Sequence, residues 1–318
     1  MLDKFAPGCQ FVRMASSKLE QLRELIRSYG SCLVAYSGGV DSVFLARVAR
    51  EVLGEKSLAV IADSPSLPRR ELEEALEIAG EFQISVRVVK TGEFDNPDYV
   101  ANPSDRCYFC KHELFEKLAP IAREQGLTVI AYGENASDVG DFRPGARAAA
   151  EFQVRAPLKE VGLTKGEIRE LSALLGLPTA DKAQMACLSS RIPYGEPVTE
   201  GKLKMIEEAE NFLRDLGFHE VRVRHHEMGS RIGSREPIVG PAPKAAPAAG
   251  HQPPVAARHL ARIEVGAAEL PKLLEQAMGY RVAEALRKIG YTHVTLDLQG
   301  YRRGSLNERI ATVKQRPA

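Results

Sequence analysis

The sequence predicts an α/β fold, with a parallel sheet covered on both faces by helices and a smaller α+β domain after it. Two observations carry this. Through the first half, short apolar runs rich in β-branched residues alternate with amphipathic stretches of helical length. Parallel strands need crossovers of about that length, so the alternation implies βαβ units. A polar stretch at 181–197, interrupted by Pro193, Gly195 and Pro197, then separates this half from a second group of strands and helices.

The elements follow in order. Residues 32–36 (CLVAY), 57–63 (SLAVIAD), 84–91 (ISVRVVKT) and 128–132 (TVIAY) read as strands, with helices at 40–53, 69–82 and 107–125 between them. Ligands of such a sheet are expected at the carboxyl ends of its strands. Thr164-Lys165-Gly166-Glu167 fits a capping box, starting a helix that ends before Gly176. Thr199 caps a helix to 216. Strands at 221–225, 260–265 and 294–298 with a helix at 270–289 complete the second domain. The expected division is a ragged N-terminal extension at 1–16, a first domain at 17–197 and a second at 198–318. A Pro/Ala/Gly-rich insertion at 227–257 interrupts the second. Its composition buries too little apolar surface to offset ordering entropy, so it is expected to be disordered.

A length of 318 residues suits two domains of ordinary size. The net charge of +1 argues against a general polyanion-binding surface, and hence against nucleic acid as partner. No stretch approaches the roughly 20 apolar residues of a membrane span, and residues 1–14 lack the apolar core of a signal peptide. Five cysteines, an odd number, point to reduced thiols and a cytoplasmic location.

The strongest local signal is Ser37-Gly38-Gly39-Val40-Asp41-Ser42, directly after a strand and opening a helix. Two glycines remove the Cβ atoms that keep backbone N–H groups away from an anion, and the helix N-terminus adds orphan donors. Ser37 and Ser42 can donate to phosphate, and Asp41 can cap the turn or help hold Mg²⁺. The plain alternative is a strand–turn–helix corner with a serine cap. The motif lacks the lysine of the kinase and GTPase phosphate loop. It resembles the PP-loop ATP pyrophosphatases, which split ATP between its α and β phosphates. That group includes NAD and GMP synthetases and several tRNA sulfurtransferases. The resemblance implies a Rossmann-like PP-loop sheet (adenine nucleotide alpha hydrolase-like) and adenylation of an acceptor that the motif leaves open.

Cys107 and Cys110 form Cys-Tyr-Phe-Cys at the start of a predicted helix, followed by Lys111 and His112; Cys187 stands apart. Positions i and i+3 share a helix face, and a helix N-terminus with a nearby lysine favours thiolates. Three readings stay open: a zinc site, for which His112 is the only nearby fourth ligand; a redox dithiol, which leaves Cys187 unexplained; and an iron–sulfur cluster on three cysteines with one open iron. Cys9 and Cys32 read as small apolar residues.

Several segments together resemble the LarE family. They are Ala186-Cys187-Leu188-Ser189-Ser190-Arg191-Ile192-Pro193-Tyr194-Gly195, Val221-Arg222-Val223-Arg224-His225, Ala261-Arg262-Ile263-Glu264, Leu296-Asp297-Leu298-Gln299-Gly300-Tyr301-Arg302 and Asp141-Phe142-Arg143-Pro144-Gly145. The likeness covers about 17–307 apart from the insertion. Members insert sulfur into pyridinium-3,5-biscarboxylic acid mononucleotide during synthesis of the nickel-pincer nucleotide cofactor. The resemblance implies that Ser37, Gly38, Gly39, Asp41 and Ser42 bind ATP phosphates, with Ser64 and Gly133 near the adenosine. It implies that Ser190, Arg191, Arg222 and Arg224 meet the substrate's phosphate or carboxylates, with Glu210 and Glu264 near them. Arginine's planar fork suits both anions. Cys187 corresponds to the sulfur-bearing cysteine. In the single-cysteine branch it is consumed, leaving dehydroalanine. The three-cysteine branch, which Cys107, Cys110 and Cys187 match, holds a [4Fe-4S] cluster whose open iron takes sulfide. A homo-oligomer and a sulfide or sulfur donor are implied as partners.

Three rivals remain. A tRNA thiolase requires a broad basic surface. An ammonia-dependent synthetase of the NAD or GMP type leaves Cys187 without a use. An ATP-binding regulatory module explains neither the cysteines nor the arginines.

Overall fold

The computed structural model describes residues 7–138, 144–183, 186–228 and 258–302. The chain divides into two compact units: Met1–Ser189 with Pro197–Leu203, and Ser190–Glu196 with Lys204–Ala318. A single boundary at 197/198 is expected from the sequence. The division instead exchanges two short segments, and 190–196 belongs with the second unit.

In the first unit, β1 (Cys32–Tyr36), β2 (Ser57–Asp63), β3 (Val86–Lys90) and β4 (Val129–Tyr132) form a parallel sheet in the order β3-β2-β1-β4. Its helices are α1 (Pro7–Tyr29), α2 (Val40–Leu53), α3 (Arg69–Glu81), α4 (Pro97–Val100), α5 (Arg106–Glu124), α6 (Pro144–Glu151), α7 (Pro157–Glu160) and α8 (Lys165–Leu174). Alternate strand residues face opposite layers, as a period of two requires. Val34, Tyr36, Ala59 and Ile61 pack with α1, α2 and α8, including Leu22, Ile26, Phe44 and Ile168. Leu33, Ala35 and Val60 pack with Phe115 and Leu118 of α5 and Ala148 of α6. Both faces are therefore covered. The chain runs outward from β1 through β2 to β3 and then returns to β4 on the far side of β1. This places the switch of strand order at the carboxyl ends of β1 and β4, where α/β sheets bind ligands.

Residues 7–16, expected as part of a loose extension, open α1. Ala15, Leu19, Leu22 and Ile26 recur at helical spacing and are all buried, so this face belongs to the core. Residues 1–6 of that extension, most of the insertion (229–257) and Asp141 to Arg143 lie outside the described residues.

In the second unit, β5 (Val221–Met228) pairs antiparallel with β6 (Arg258–Val265), and β6 pairs parallel with β7 (His293–Leu296). Helix α9 (Glu200–Asp215) begins after Thr199, and the division between the units falls within it. The helix expected at 270–289 is two: α10 (Leu270–Leu274) and α11 (Gln276–Ile289), broken at Glu275 with φ −58° and ψ 129°. Leu273 on α10 and Val282 on α11 are both buried in the same core. Nine residues apart on one continuous helix, they would face roughly opposite sides. The break brings them back into phase.

Candidate active site

The turn from β1 into α2 is built for an anion. Gly38 takes φ +71°, and a Cβ there would lie 2.7 Å from the Ala75 Cβ, so both conformation and space require glycine. Gly39 caps α2 without a side-chain hydrogen bond, so the serine-capped corner is not what forms. The first-turn N–H groups are left without that cap, as a phosphate-binding helix start needs. Ser42 Oγ donates to the Gly39 carbonyl (3.0 Å), accepts from Ser37 N–H (3.1 Å) and lies 3.1 Å from Ser37 Oγ, which fixes the loop's curvature. Gly133, after β4, lets that strand approach the loop: a Cβ there would lie 3.0 Å from both Asp41 Cβ and Ser42 N. Asp41 Oδ2 accepts from Lys165 Nζ at 2.6 Å, and Asn135 Nδ2 lies 3.4 Å from Oδ1.

A cavity of about 310 Å³ opens beside this loop, lined by Ser37, Gly39 and Asp41 on one side and by Ser64, Ser66 and Leu67 after β2 on another. Cys110, Ala186, Cys187, Lys165 and Lys182 complete its wall. A second cavity of about 180 Å³ shares Ser37, Gly39 and Asp41 with the first, adds Ser42, and is closed by Lys111, Tyr132, Gly133 and Glu134. The loop thus serves both cavities. Ser64 Oγ accepts from Ser66 N–H (3.1 Å), while its carbonyl accepts from Arg69 (2.7 Å).

Helix α5 carries Cys107 on its exposed side and Cys110 toward the larger cavity. Gly145 on α6 allows the two helices to touch, since a Cβ would meet Lys111 Cγ at 2.9 Å and the Cys107 carbonyl at 3.5 Å. The helix start and Lys111 are expected to favour the thiolate, yet burial outweighs them at Cys110. Together with the nearby Cys187 and Glu93 charges it pushes that thiol up to about 12. Glu93 is buried with no hydrogen bond to either carboxylate oxygen. Burial thus keeps the Cys110 thiol protonated, and only a cation bound beside it would favour the thiolate. Among the described residues no group of three His, Cys, Asp or Glu is arranged to hold a metal ion. His112 packs edge-on against Phe152 at 5.0 Å and pairs with Glu116 at 3.7 Å. Burial first, and then Cys187 and Cys110, raise the pKa of the Tyr99 hydroxyl.

The remaining expected residues lie in the second unit. Arg191 is fully buried, and its Nε and Nη2 donate to Glu210 at 2.8 and 2.9 Å. Arg224 repeats this fork with Glu264 at 3.0 and 2.9 Å, and its Nη1 donates to the Ser190 carbonyl at 2.9 Å. Glu210 and Glu264 are thus counter-ions that set the arginines. Burial works to raise the Glu210 carboxyl, but Arg191 overcomes it and holds the group below the ordinary carboxylate range. Arg222 lies over the Tyr301 ring at 5.0 Å; burial first, and then the like charge of Arg191, lowers its pKa. A cation so placed favours an incoming anion.

Sequence reasoning overlooked Lys165, although the capping box that fixes it was visible. Thr164 and Glu167 close that box, and Ser137 Oγ accepts from Lys165 N–H at 3.0 Å. Lys182, which bridges Glu71 (2.7 Å) and Glu74 (2.8 Å) at the cavity wall, left no local signature.

A parallel sheet whose switch point carries an uncapped Gly-Gly helix start, flanked by cavities, defines an ATP-using PP-loop domain. The NAD synthase family profile matches residues 15–99. The chain is 40% identical over 299 residues to an uncharacterised protein of Synechocystis sp., covering 94% of this chain and 100% of that one. It is 31% identical over 279 residues to the pyridinium-3,5-bisthiocarboxylic acid mononucleotide synthase of Lactiplantibacillus plantarum, covering 87% and 89%. A glutamine-hydrolyzing GMP synthase polypeptide of Methanococcus maripaludis matches at 28% over 215 residues, 61% of this chain and 66% of that one. The chain therefore belongs to the LarE family of ATP-dependent sulfur transferases.

Proposed function

We propose that this protein adenylates the carboxylates of pyridinium-3,5-biscarboxylic acid mononucleotide and replaces carboxyl oxygen with sulfur. The supporting observation is the larger cavity, whose wall contains both the PP-loop and the Cys187 thiol. In the first half-reaction a carboxylate oxygen attacks the α-phosphorus of ATP and pyrophosphate leaves. Loop N–H groups, Ser37, Ser42 and Lys165 stabilise the charge on the departing phosphates. Mg²⁺ would sit at Asp41, whose oxygen donor suits it, and would neutralise phosphate charge. In the second half-reaction sulfur attacks the activated carbonyl carbon and AMP leaves.

The second half-reaction needs a sulfur carrier, and two are proposed. A [4Fe-4S] cluster on Cys107, Cys110 and Cys187 would supply hydrosulfide as the nucleophile and permit repeated turnover; the three-cysteine pattern supports it, with Cys110 and Cys187 on one cavity wall. The sacrificial reading is supported by the place of Cys187 on the cavity wall without a ready three-ligand set. There the Cys187 sulfur displaces AMP to form a thioester. Loss of the Cα proton then breaks the Cβ–Sγ bond, leaving a thiocarboxylate and dehydroalanine. In the second unit, Arg191, Arg222 and Arg224, set by Glu210 and Glu264 and joined by Ser190, bind the mononucleotide's anionic groups. Thiol chemistry of this kind belongs in the cytoplasm, and a homo-oligomer is the proposed assembly. No helix among the described residues is long and apolar enough to cross a membrane.

Anaerobic reconstitution with iron and acid-labile sulfide assays, repeated on Cys107→Ala, tests the carrier. About four irons per chain, lost in the variant, support the cluster. An iron-free protein that loses about 34 Da at Cys187 after turnover identifies the sacrificial route. Absence of pyrophosphate release with the pyridinium substrate rejects the adenylation itself.

A further inference from the structure

Three hydroxyls meet in a closed ring next to the cysteine segment. Tyr99 Oη lies 2.6 Å from Ser66 Oγ and 2.8 Å from Ser189 Oγ, and the two serine oxygens are 2.9 Å apart. Each hydroxyl has one proton to donate and room to accept, so a ring of three satisfies every member. All three residues are buried, with Ser189 0% and Tyr99 1% exposed. A buried hydroxyl without partners is costly, so a residue that only filled space here would be phenylalanine.

The ring joins three pieces of chain with different duties. Ser66 belongs to the turn after β2 that lines the nucleotide cavity with Ser64 and Leu67. Ser189 follows Cys187 by two residues, and between them Leu188 N–H donates to the Ser66 carbonyl at 2.8 Å. Tyr99 stands on α4, a single turn that Asn96 caps by accepting from Asp98 N–H and that Pro97 initiates. Phe94 meets the Tyr99 ring edge-on at 5.3 Å, and Val198 N–H donates to the Val100 carbonyl at 2.9 Å. Helix α4 therefore grips the chain both just after Cys187 and again at Val198.

We propose that Tyr99 is a positioning residue that sets the Cys187 segment against the nucleotide-binding turn through Ser66 and Ser189, so that nucleotide in the cavity governs access to the Cys187 thiol. This deepens the function proposed above and rests on it, since it takes Cys187 to act at the nucleotide cavity. Tyr99 does not line the cavity, and its hydroxyl is engaged by Ser66 and Ser189. It acts by holding two main-chain segments in one register, and a displacement of about 1 Å at a reacting group is enough to slow chemistry.

The test labels the full-length chain with iodoacetamide and reads Cys187 at the peptide level by mass spectrometry, with and without AMP. In the wild type, AMP is expected to slow Cys187 labelling at least about fivefold, the scale of one or two hydrogen bonds. In Tyr99→Phe the protection falls to within about twofold while AMP affinity by calorimetry is retained, because the removed hydroxyl contacts no nucleotide. A variant that merely destabilised the fold would lose affinity as well. Equal protection in both proteins overturns the positioning role and leaves the functional reading standing. No protection in the wild type, with AMP bound, overturns both, because Cys187 then lies away from the nucleotide. Ser189→Ala, which breaks the ring from another side, is judged by the same two criteria should the phenylalanine variant not fold.

Discussion

At Gly38 one missing carbon atom decides whether the phosphate loop exists. An alanine there combines left-handed backbone with a 2.7 Å approach to Ala75, so α3 or the loop has to move. Gly38→Ala is expected to lower ATP affinity at least about tenfold, on the scale of 1–2 kcal/mol for such backbone strain, measured by calorimetry. Lys165 acts at the same loop through Asp41. Lys165→Met is expected to slow pyrophosphate release by about 10²-fold, comparable to removal of one preorganised donor, with little change in melting temperature. In the second unit the decisive pair is Arg191 and Glu210, both with fully buried side chains. Glu210→Gln leaves a buried guanidinium without its counter-charge and is expected to cost about 3–5 kcal/mol in urea unfolding. Its pH dependence has a definite sign. The folded-state pKa of Glu210 lies below the ordinary 4.5, so its contribution is complete above that value and fades as pH falls through the depressed one. The stability gap between wild type and variant should therefore narrow in acid.

Among the elements, legibility followed how local the determinants are. Strands β1 and β2 and helix α2 coincide with the expected residues because apolar runs, glycines and β-branched residues encode them directly. The capping box at Thr164 was equally plain. Its observed bonds run from Thr164 N to Glu167 Oε2 at 2.8 Å and from Glu167 N to Thr164 Oγ1 at 3.4 Å, with Lys18 pairing to Glu167 at 2.7 Å. Thr164→Ala is expected to cost about 0.5–2 kcal/mol by thermal unfolding, and to weaken ATP binding in proportion because Lys165 is the first residue of α8. The break at Glu275 was not legible, since it is imposed by the tertiary demand that Leu273 and Val282 share one core. The start of α1 is not legible because the face that continues it, Ala15, Leu19, Leu22 and Ile26, has meaning only against the sheet it covers. At the site, the PP-loop and the cysteines were readable as motifs. The roles of Glu210 and Glu264 as partners of arginines far away in sequence were not.

At the scale of the whole molecule, the division between units decides which fragments can fold. A cut at 197/198, where the polar loop ends, follows composition but separates residues from their own cores. Residues 190–196 carry Arg191, which neutralises the buried Glu210, and the Ser190 carbonyl, which receives Arg224. A fragment of residues 198–318 keeps Arg214 at 3.4 Å from Glu210 but loses the buried Arg191 pair, and breaking such a pair costs about 3–5 kcal/mol. That is a large share of the roughly 5–15 kcal/mol by which a domain is stable at all. Expressed separately, residues 190–318 are expected to unfold in one cooperative urea transition, while residues 198–318 show a broad transition or none. The complementary comparison concerns Val198 and Leu203, each only 1% exposed. Burying each contributes about 1.5–3 kcal/mol, so residues 7–203 should melt several degrees above residues 7–197. If both cuts at 197/198 gave fragments as stable as the longer ones, the exchanged segments would be surface connections, and the Arg191–Glu210 pair would contribute little to the stability of the second unit.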